Sequence, residues 1–200
     1  MVKIVCFEGV HGCGKGTLID ALQRELANHS SGKHAVIRDS EYPEFEQVKK
    51  AIRIGGLSGK REIIETVART RAQIYIDHIN QQLQALDLAI LDRSYYTSAV
   101  CQSESYEEMY EIIRENEGRG IPRADLTFIL HAPIDVIVHR LGKRRRPDLG
   151  EHDAARTAQE QRKYLHLAQN CRECVALDTR DDPAELARDV YSVISANKAR

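Results

Sequence analysis

The stretch FEGVHGCGKGTLID, Phe7 to Asp20, sets four glycines and one lysine between an apolar run and a run with helical patterning. Upstream, KIVCF (Lys3–Phe7) is apolar and β-rich, which predicts a strand. Downstream, KGTLIDALQRELANH places Leu18, Ile19, Leu22 and Leu26 on one helical face. Gly9, four further residues and then Gly14-Lys15-Gly16-Thr17 give strand, glycine-rich loop and helix N-terminus in the order that cradles phosphate. Glycines let backbone N–H groups converge on one point, and the helix dipole adds positive potential there. Gly9, Gly12, Cys13, Gly14, Lys15, Gly16 and Thr17 form the expected cradle, with Lys15 as a full charge able to follow a transferred phosphoryl. The motif asks for Ser or Thr directly after the lysine, and here Gly16 intervenes. Thr17 must therefore serve as the Mg²⁺ ligand, or the ion is held mainly through waters and a carboxylate.

Working outward, HAVIR, LAILD, DLTFIL and CVALD repeat the short apolar run, and helical patterns such as REIIETVARTRAQIYIDHINQQLQAL lie between them. Runs that are apolar throughout, rather than alternating, predict strands buried on both faces of a parallel sheet. The expected fold is α/β and three-layered, a five-stranded parallel sheet flanked by helices, with residues 1–200 forming a single domain. Asp92 ends the run LAIL, where a parallel strand delivers its last side chain to a ligand crevice, and it is the candidate metal carboxylate. The competing role for Asp92 is as a cap of the helix starting near Ser94. Gly142 to Asp153, GKRRRPDLGEHD, mixes four consecutive cations with Pro147 and Gly150 and reads as a surface loop between helices.

The formal net charge is -1 with both signs spread along the chain, which argues against a general polyanion binder or a membrane-surface protein. Five cysteines without framework spacing favour a reducing compartment. Cys171 and Cys174 form a C-x-x-C that reads as lying inside a helix, with no further pair of ligands evident at metal-site spacing. The opening VKIVCF leaves no room for a secretory leader, and no apolar stretch approaches the roughly 20 residues of a bilayer span. A cytosolic protein is expected.

Several stretches together resemble the thymidylate kinase family, P-loop enzymes that move a phosphoryl group from ATP to deoxythymidine monophosphate. FEGVHGCGKGT is similar to that family's first strand and loop, and LDRSYYTSAVCQ to its Asp-Arg motif with the following helix. PRADLTFILHAPIDVIVHRL and VALDTRDDPAELARDVYSVI resemble its last two strands and their helices. The resemblance implies ATP and Mg²⁺ as cofactors, a homodimer, and a helical lid in the basic loop at about 142–153. It also implies that Arg93 and Arg71 bind the acceptor phosphate, where two forked donors would fix it in line. By the same resemblance Tyr42 and Ser98 fall in the acceptor region and Arg140 near the donor's adenine. Lid arginines, among them Arg144, Arg145 and Arg146, would close over the γ-phosphoryl.

Three positions depart from that pattern, all on the nucleoside side. His11 stands where the family has an aspartate near the sugar 3′-hydroxyl, and Val67 where a phenylalanine stacks on thymine. Cys101 aligns with an aromatic residue that helps exclude a ribose 2′-hydroxyl. A lost base stack is worth roughly 1–3 kcal/mol, enough to redirect specificity. Phosphoryl transfer to a nucleoside monophosphate is thus the leading expectation, with dTMP the first acceptor to try. The alternatives are an ATP-binding family member without turnover, and a nucleoside kinase acting on a free 5′-hydroxyl. A guanine-nucleotide switch lacks its element, since Asn197-Lys198 is followed by Ala199-Arg200.

Overall fold

Strand β1 (Lys3–Glu8) is buried along all but its first residue, and it leads directly into the glycine loop. The computed structural model describes residues 2–143 and 153–196. The sheet has five strands in the order β2-β3-β1-β4-β5, with β2 (His34–Ile37), β3 (Leu88–Asp92), β4 (Leu126–His131) and β5 (Cys174–Asp178). β2 pairs with β3, and β4 with β5, in parallel. The five expected strands therefore all form, as a parallel α/β sheet. Burial on both faces holds for β1, β3 and β4 but not for the outer strands. β2 is mostly half-buried, and Val175 and Ala176 of β5 are exposed, because an edge strand has no neighbour on one side.

The fold groups into two compact units, one comprising Met1–Cys6 with Lys33–Asp125 and the other Phe7–Gly32 with Leu126–Arg200. In the second unit, α1 (Lys15–His29) packs on α9 (Pro183–Ala196). Leu18, Ile19, Leu22 and Leu26 are buried as their spacing predicts, together with Leu186, Val190 and Ile194. Phe7 and Phe128 stack with ring centres 5.3 Å apart. Helices α7 (Ile134–Gly142) and α8 (Ala154–Asn170) flank the basic loop, and Asp153 caps α8 by accepting from the Ala155 and Arg156 N–H groups.

In the first unit, α2 (Pro43–Arg53) starts on Pro43, whose missing N–H costs nothing at a first helical position. The long helical pattern predicted for residues 61–86 forms α3 (Lys60–Ile74), a π turn (Tyr75–Ile79) and α4 (Asn80–Gln84). Helix α5 (Tyr95–Gln102) is capped by Ser94, and α6 (Tyr106–Gly118) by Ser105. No helix of the described residues is long and apolar enough to cross a membrane.

The C-x-x-C is not helical. α8 ends at Asn170, whose side-chain amide donates back to the His166 carbonyl at 2.8 Å, and Cys174 opens β5. The side chain satisfies one of the last helical carbonyls, so Cys171 to Cys174 becomes a turn.

Candidate active site

The glycine loop belongs to the second unit, and close approach dictates its glycines. Gly9 has φ 140°, and a Cβ there would sit 2.4 Å from the Leu130 carbonyl oxygen, so no side chain fits. Gly14 is the N-cap of α1 at φ 99°, a left-handed conformation, and offers no side-chain acceptor to the first turn. No side chain of the N-cap competes with an anionic ligand for the first turn of α1. Lys15 is buried, its Nζ donating to the Gly9 carbonyl at 2.6 Å and the Val10 carbonyl at 3.0 Å, with Cys13 Sγ 3.5 Å away. Gly16, Thr17 and His11 are exposed.

Beside this loop lies a cavity of about 530 Å³, lined by Gly12, Gly14, Thr17, Arg140, Thr179 and Arg180 among others. That volume is in the range of small-molecule sites. Thr179, which sequence reasoning missed, organises it. Its Oγ1 donates to the Cys13 carbonyl at 2.7 Å, tying the glycine loop to the end of β5. Arg140 donates from Nη1 to Thr179 Oγ1 at 3.2 Å and from Nη2 to the Thr179 carbonyl at 2.7 Å. The guanidinium that the resemblance assigned near the donor's base is therefore fixed at the cavity wall. Next to it, hydrogen bonding to Arg180 holds the Asp178 carboxyl below the usual carboxylate range. Glu8, fully buried, accepts from the Tyr164 hydroxyl at 3.2 Å.

The first unit holds the residues assigned to the acceptor other than His11, which belongs to the second. Arg71 on α3 is buried and meets four groups. Its Nε donates to Asp39 Oδ2 at 2.5 Å, Nη1 to Asn116 Oδ1 at 3.2 Å and Nη2 to Ser98 Oγ at 3.1 Å. Its guanidinium carbon lies 5.2 Å over the Phe45 ring. Two of its five N–H donors lie outside these three bonds. Val67, one turn earlier on the same helix, is buried. Tyr42 stacks on His78 of the π turn with ring centres 5.2 Å apart and accepts at its hydroxyl from Gln82 Nε2 at 2.8 Å. A π turn widens the helix by one residue per turn, and here it brings His78 against Tyr42.

At the end of β3, Asp92 Oδ2 accepts from Arg38 Nε at 2.8 Å, and Ser94 rather than Asp92 caps α5. Among the described residues Arg93 is the non-glycine with positive φ, 76°. That conformation costs on the order of 1 kcal/mol or more and is found where a site needs a side chain aimed against backbone preference. Arg93 Nη1 donates to Thr97 Oγ1 at 3.2 Å. Cys101 is exposed on α5. The structure thus brings Arg71 together with Ser98, and the glycine loop together with Arg140. Arg144, Arg145, Arg146 and most of the predicted lid lie outside the described residues. Asp39, Arg38, Asn116 and Thr179 are the contributors the sequence reading did not single out. For Asp39 and Thr179 a positional signal existed: each follows closely on the carboxyl end of a parallel strand, where ligands bind in sheets of this kind.

A family model described as thymidylate kinase matches residues 7–190. A probable thymidylate kinase 1 of Saccharolobus solfataricus is 27% identical over 197 residues, covering 98% of this chain and 99% of that one. A thymidylate kinase of Leptospira interrogans is 28% identical over 141 residues, 70% of this chain and 69% of its own. The solved structure of thymidylate kinase from Candida albicans superposes with a TM-score of 0.72 at 16% identity, covering 98% of this chain and 92% of that one, a likeness of fold.

Proposed function

Because the chain belongs to the thymidylate kinase family, we propose that it transfers the γ-phosphoryl of ATP to a (deoxy)nucleoside monophosphate, dTMP being the first acceptor to test. The observation that carries the reading is the glycine loop. Its positive-φ glycines, helix start without a side-chain cap and buried Lys15 make an anion cradle beside a nucleotide-sized cavity walled by Arg140. In this reading Gly12 to Thr17 hold the triphosphate by backbone N–H groups. Lys15 exchanges its loop carbonyls for phosphate oxygens, and the flat Arg140 guanidinium lies against the donor's base.

The acceptor phosphate falls chiefly to Arg93. Asp39 already neutralises Arg71, so Arg71 contributes two directional N–H donors more than net charge. Arg93 is then the full cation available to the acceptor phosphate, which accounts for tolerating its left-handed backbone. The Asp39 carboxylate, bound to Arg71, is poorly placed to serve as the base a free 5′-hydroxyl would need, which disfavours the nucleoside-kinase alternative.

The exposed Thr17 hydroxyl and the Asp92 carboxylate are hard oxygen donors of the kind Mg²⁺ takes. When bound, the ion would neutralise charge on the phosphates. The lid arginines Arg144 and Arg145 are assigned the closing role by family likeness, and the homodimer rests on the same likeness, while the cytosolic location rests on cysteine usage as well. The test is an ADP-release assay across ribo- and deoxynucleoside monophosphates. Turnover with at least one of them, dTMP first, supports the reading, and none above background with any removes it.

A further inference from the structure

The end of β5 away from Thr179 carries a second cluster. α8 stops at Asn170, and the chain turns through Cys171-Arg172-Glu173-Cys174 into the strand. Three backbone bonds fix the turn. Cys171 N–H donates to the Leu167 carbonyl at 2.8 Å, Cys174 N–H to the Cys171 carbonyl at 3.0 Å, and Thr127 N–H to the Glu173 carbonyl at 2.7 Å. Against this rigid backbone, one ligand atom each of Cys171, Glu173 and Cys174 lie within 4.8 Å of one another. Cys174 is buried while Cys171 and Glu173 are half-buried, so the cluster has an inner wall and an open side. The two cysteines are present as thiols rather than as a disulfide.

We propose that this turn is a binding site for a thiophilic divalent metal ion of the Zn²⁺ class, held by Cys171 Sγ, Cys174 Sγ and a Glu173 carboxylate oxygen, with its fourth position facing solvent. A tetrahedral ion with metal–sulfur bonds of about 2.3 Å places two sulfurs about 3.8 Å apart. The ligand atoms therefore need to close by no more than about 1 Å, within reach of side-chain rotation on a fixed turn. Two soft sulfurs favour Zn²⁺ or Cd²⁺ over Mg²⁺, so the site does not compete for the ion that accompanies ATP. Binding converts two thiols to thiolates and releases two protons per ion, while the carboxylate enters already ionised.

The site also lies away from the chemistry. Thr179 lies five residue steps of extended chain beyond Cys174, about 17 Å at 3.3 Å per residue. The ion would pin the α8–β5 turn and the exposed edge strand, stabilising the folded chain by mass action.

The test uses the full chain, stripped with a chelator and kept reduced, and titrated with Cd²⁺ while the ultraviolet thiolate-to-metal band is followed. One equivalent per chain is expected to saturate the band, with Zn²⁺ displacing Cd²⁺, Mg²⁺ failing to do so, and Zn²⁺ raising the melting temperature. Cys171→Ser and Cys174→Ser should each abolish saturable binding, and Glu173→Gln should weaken it by at least about tenfold, the scale on which even outer-shell losses begin. Should Cys174→Ser not fold, the half-buried Cys171→Ser alone decides the matter. A band that survives replacement of both cysteines overturns the proposal. So does a reduced chain that takes up no metal and instead forms a Cys171–Cys174 disulfide on mild oxidation.

Discussion

Thr179 Oγ1 donates a 2.7 Å hydrogen bond to the carbonyl of Cys13, a residue 166 positions earlier in the chain. The same hydroxyl accepts from Arg140, so one side chain joins the glycine loop, the end of β5 and the cavity wall. Thr179→Val keeps the shape and removes the hydroxyl, leaving the Cys13 carbonyl short of a buried partner. A stability loss of about 1–3 kcal/mol is expected, with a several-fold rise in KM for ATP. Thr179→Ser should restore both, as measured by thermal unfolding and steady-state kinetics.

Asp39 and Arg71 form a buried ion pair at 2.5 Å. Removing one partner strands the other charge away from water, and Asp39→Ala is expected to cost about 3 kcal/mol in denaturant unfolding. Replacing both partners strands neither charge, so Arg71→Met combined with Asp39→Ala should cost less than the sum of the two singles. An additive result would show that the pair is not coupled.

Cys101 is exposed on α5, so a larger side chain can be accommodated there. In the family likeness this position carries an aromatic residue that excludes a ribose 2′-hydroxyl. Cys101→Tyr is expected to raise the ratio of kcat/KM for deoxy over ribo acceptors by roughly tenfold, about 1.4 kcal/mol, with little change for the deoxy acceptor. An unchanged ratio would remove Cys101 from the acceptor pocket.

Burial pushes the Tyr75 phenol well above its usual range, aided by the nearby Asp39 carboxylate. Burial does the same at Tyr95, whose hydroxyl donates to Glu117 at 3.0 Å. A raised phenol keeps its proton in the folded chain while the unfolded chain loses it above about pH 10. The stability these two groups support is therefore full below pH 10 and lost as pH rises beyond it, by about 1.4 kcal/mol per pH unit for each group. Tyr75→Phe and Tyr95→Phe should each flatten the alkaline limb of a stability-against-pH curve.

What the sequence made legible is local. The glycine loop, β1 and α1 follow from spacing within fewer than thirty consecutive residues, and Ser94 and Pro43 mark helix starts by their own chemistry. The family resemblance names Arg93 but not its left-handed backbone, which depends on how β3 hands over to α5. Thr179 and Asp39 escaped because each acts through a partner far along the chain, 166 and 32 positions away. The turn at Cys171 was mistaken for helix because its apolar and polar spacing continues that of α8. The stop signal is the Asn170 side chain bonding back to His166. The π turn at Tyr75–Ile79 left no trace in a pattern that reads as helix throughout.

Lys15 bears most directly on the account. Its amine is bonded to the Gly9 and Val10 carbonyls, and in the proposed function it is the cation that follows the phosphates of ATP. Lys15→Met keeps most of the unbranched stem of the side chain and removes the charge. Measured as ADP formed with dTMP or the acceptor found active, the rate is expected to fall by at least about a hundredfold, or roughly 2.7 kcal/mol in the barrier. A Lys15→Met protein that folds and phosphorylates the acceptor at the wild-type rate would contradict the account.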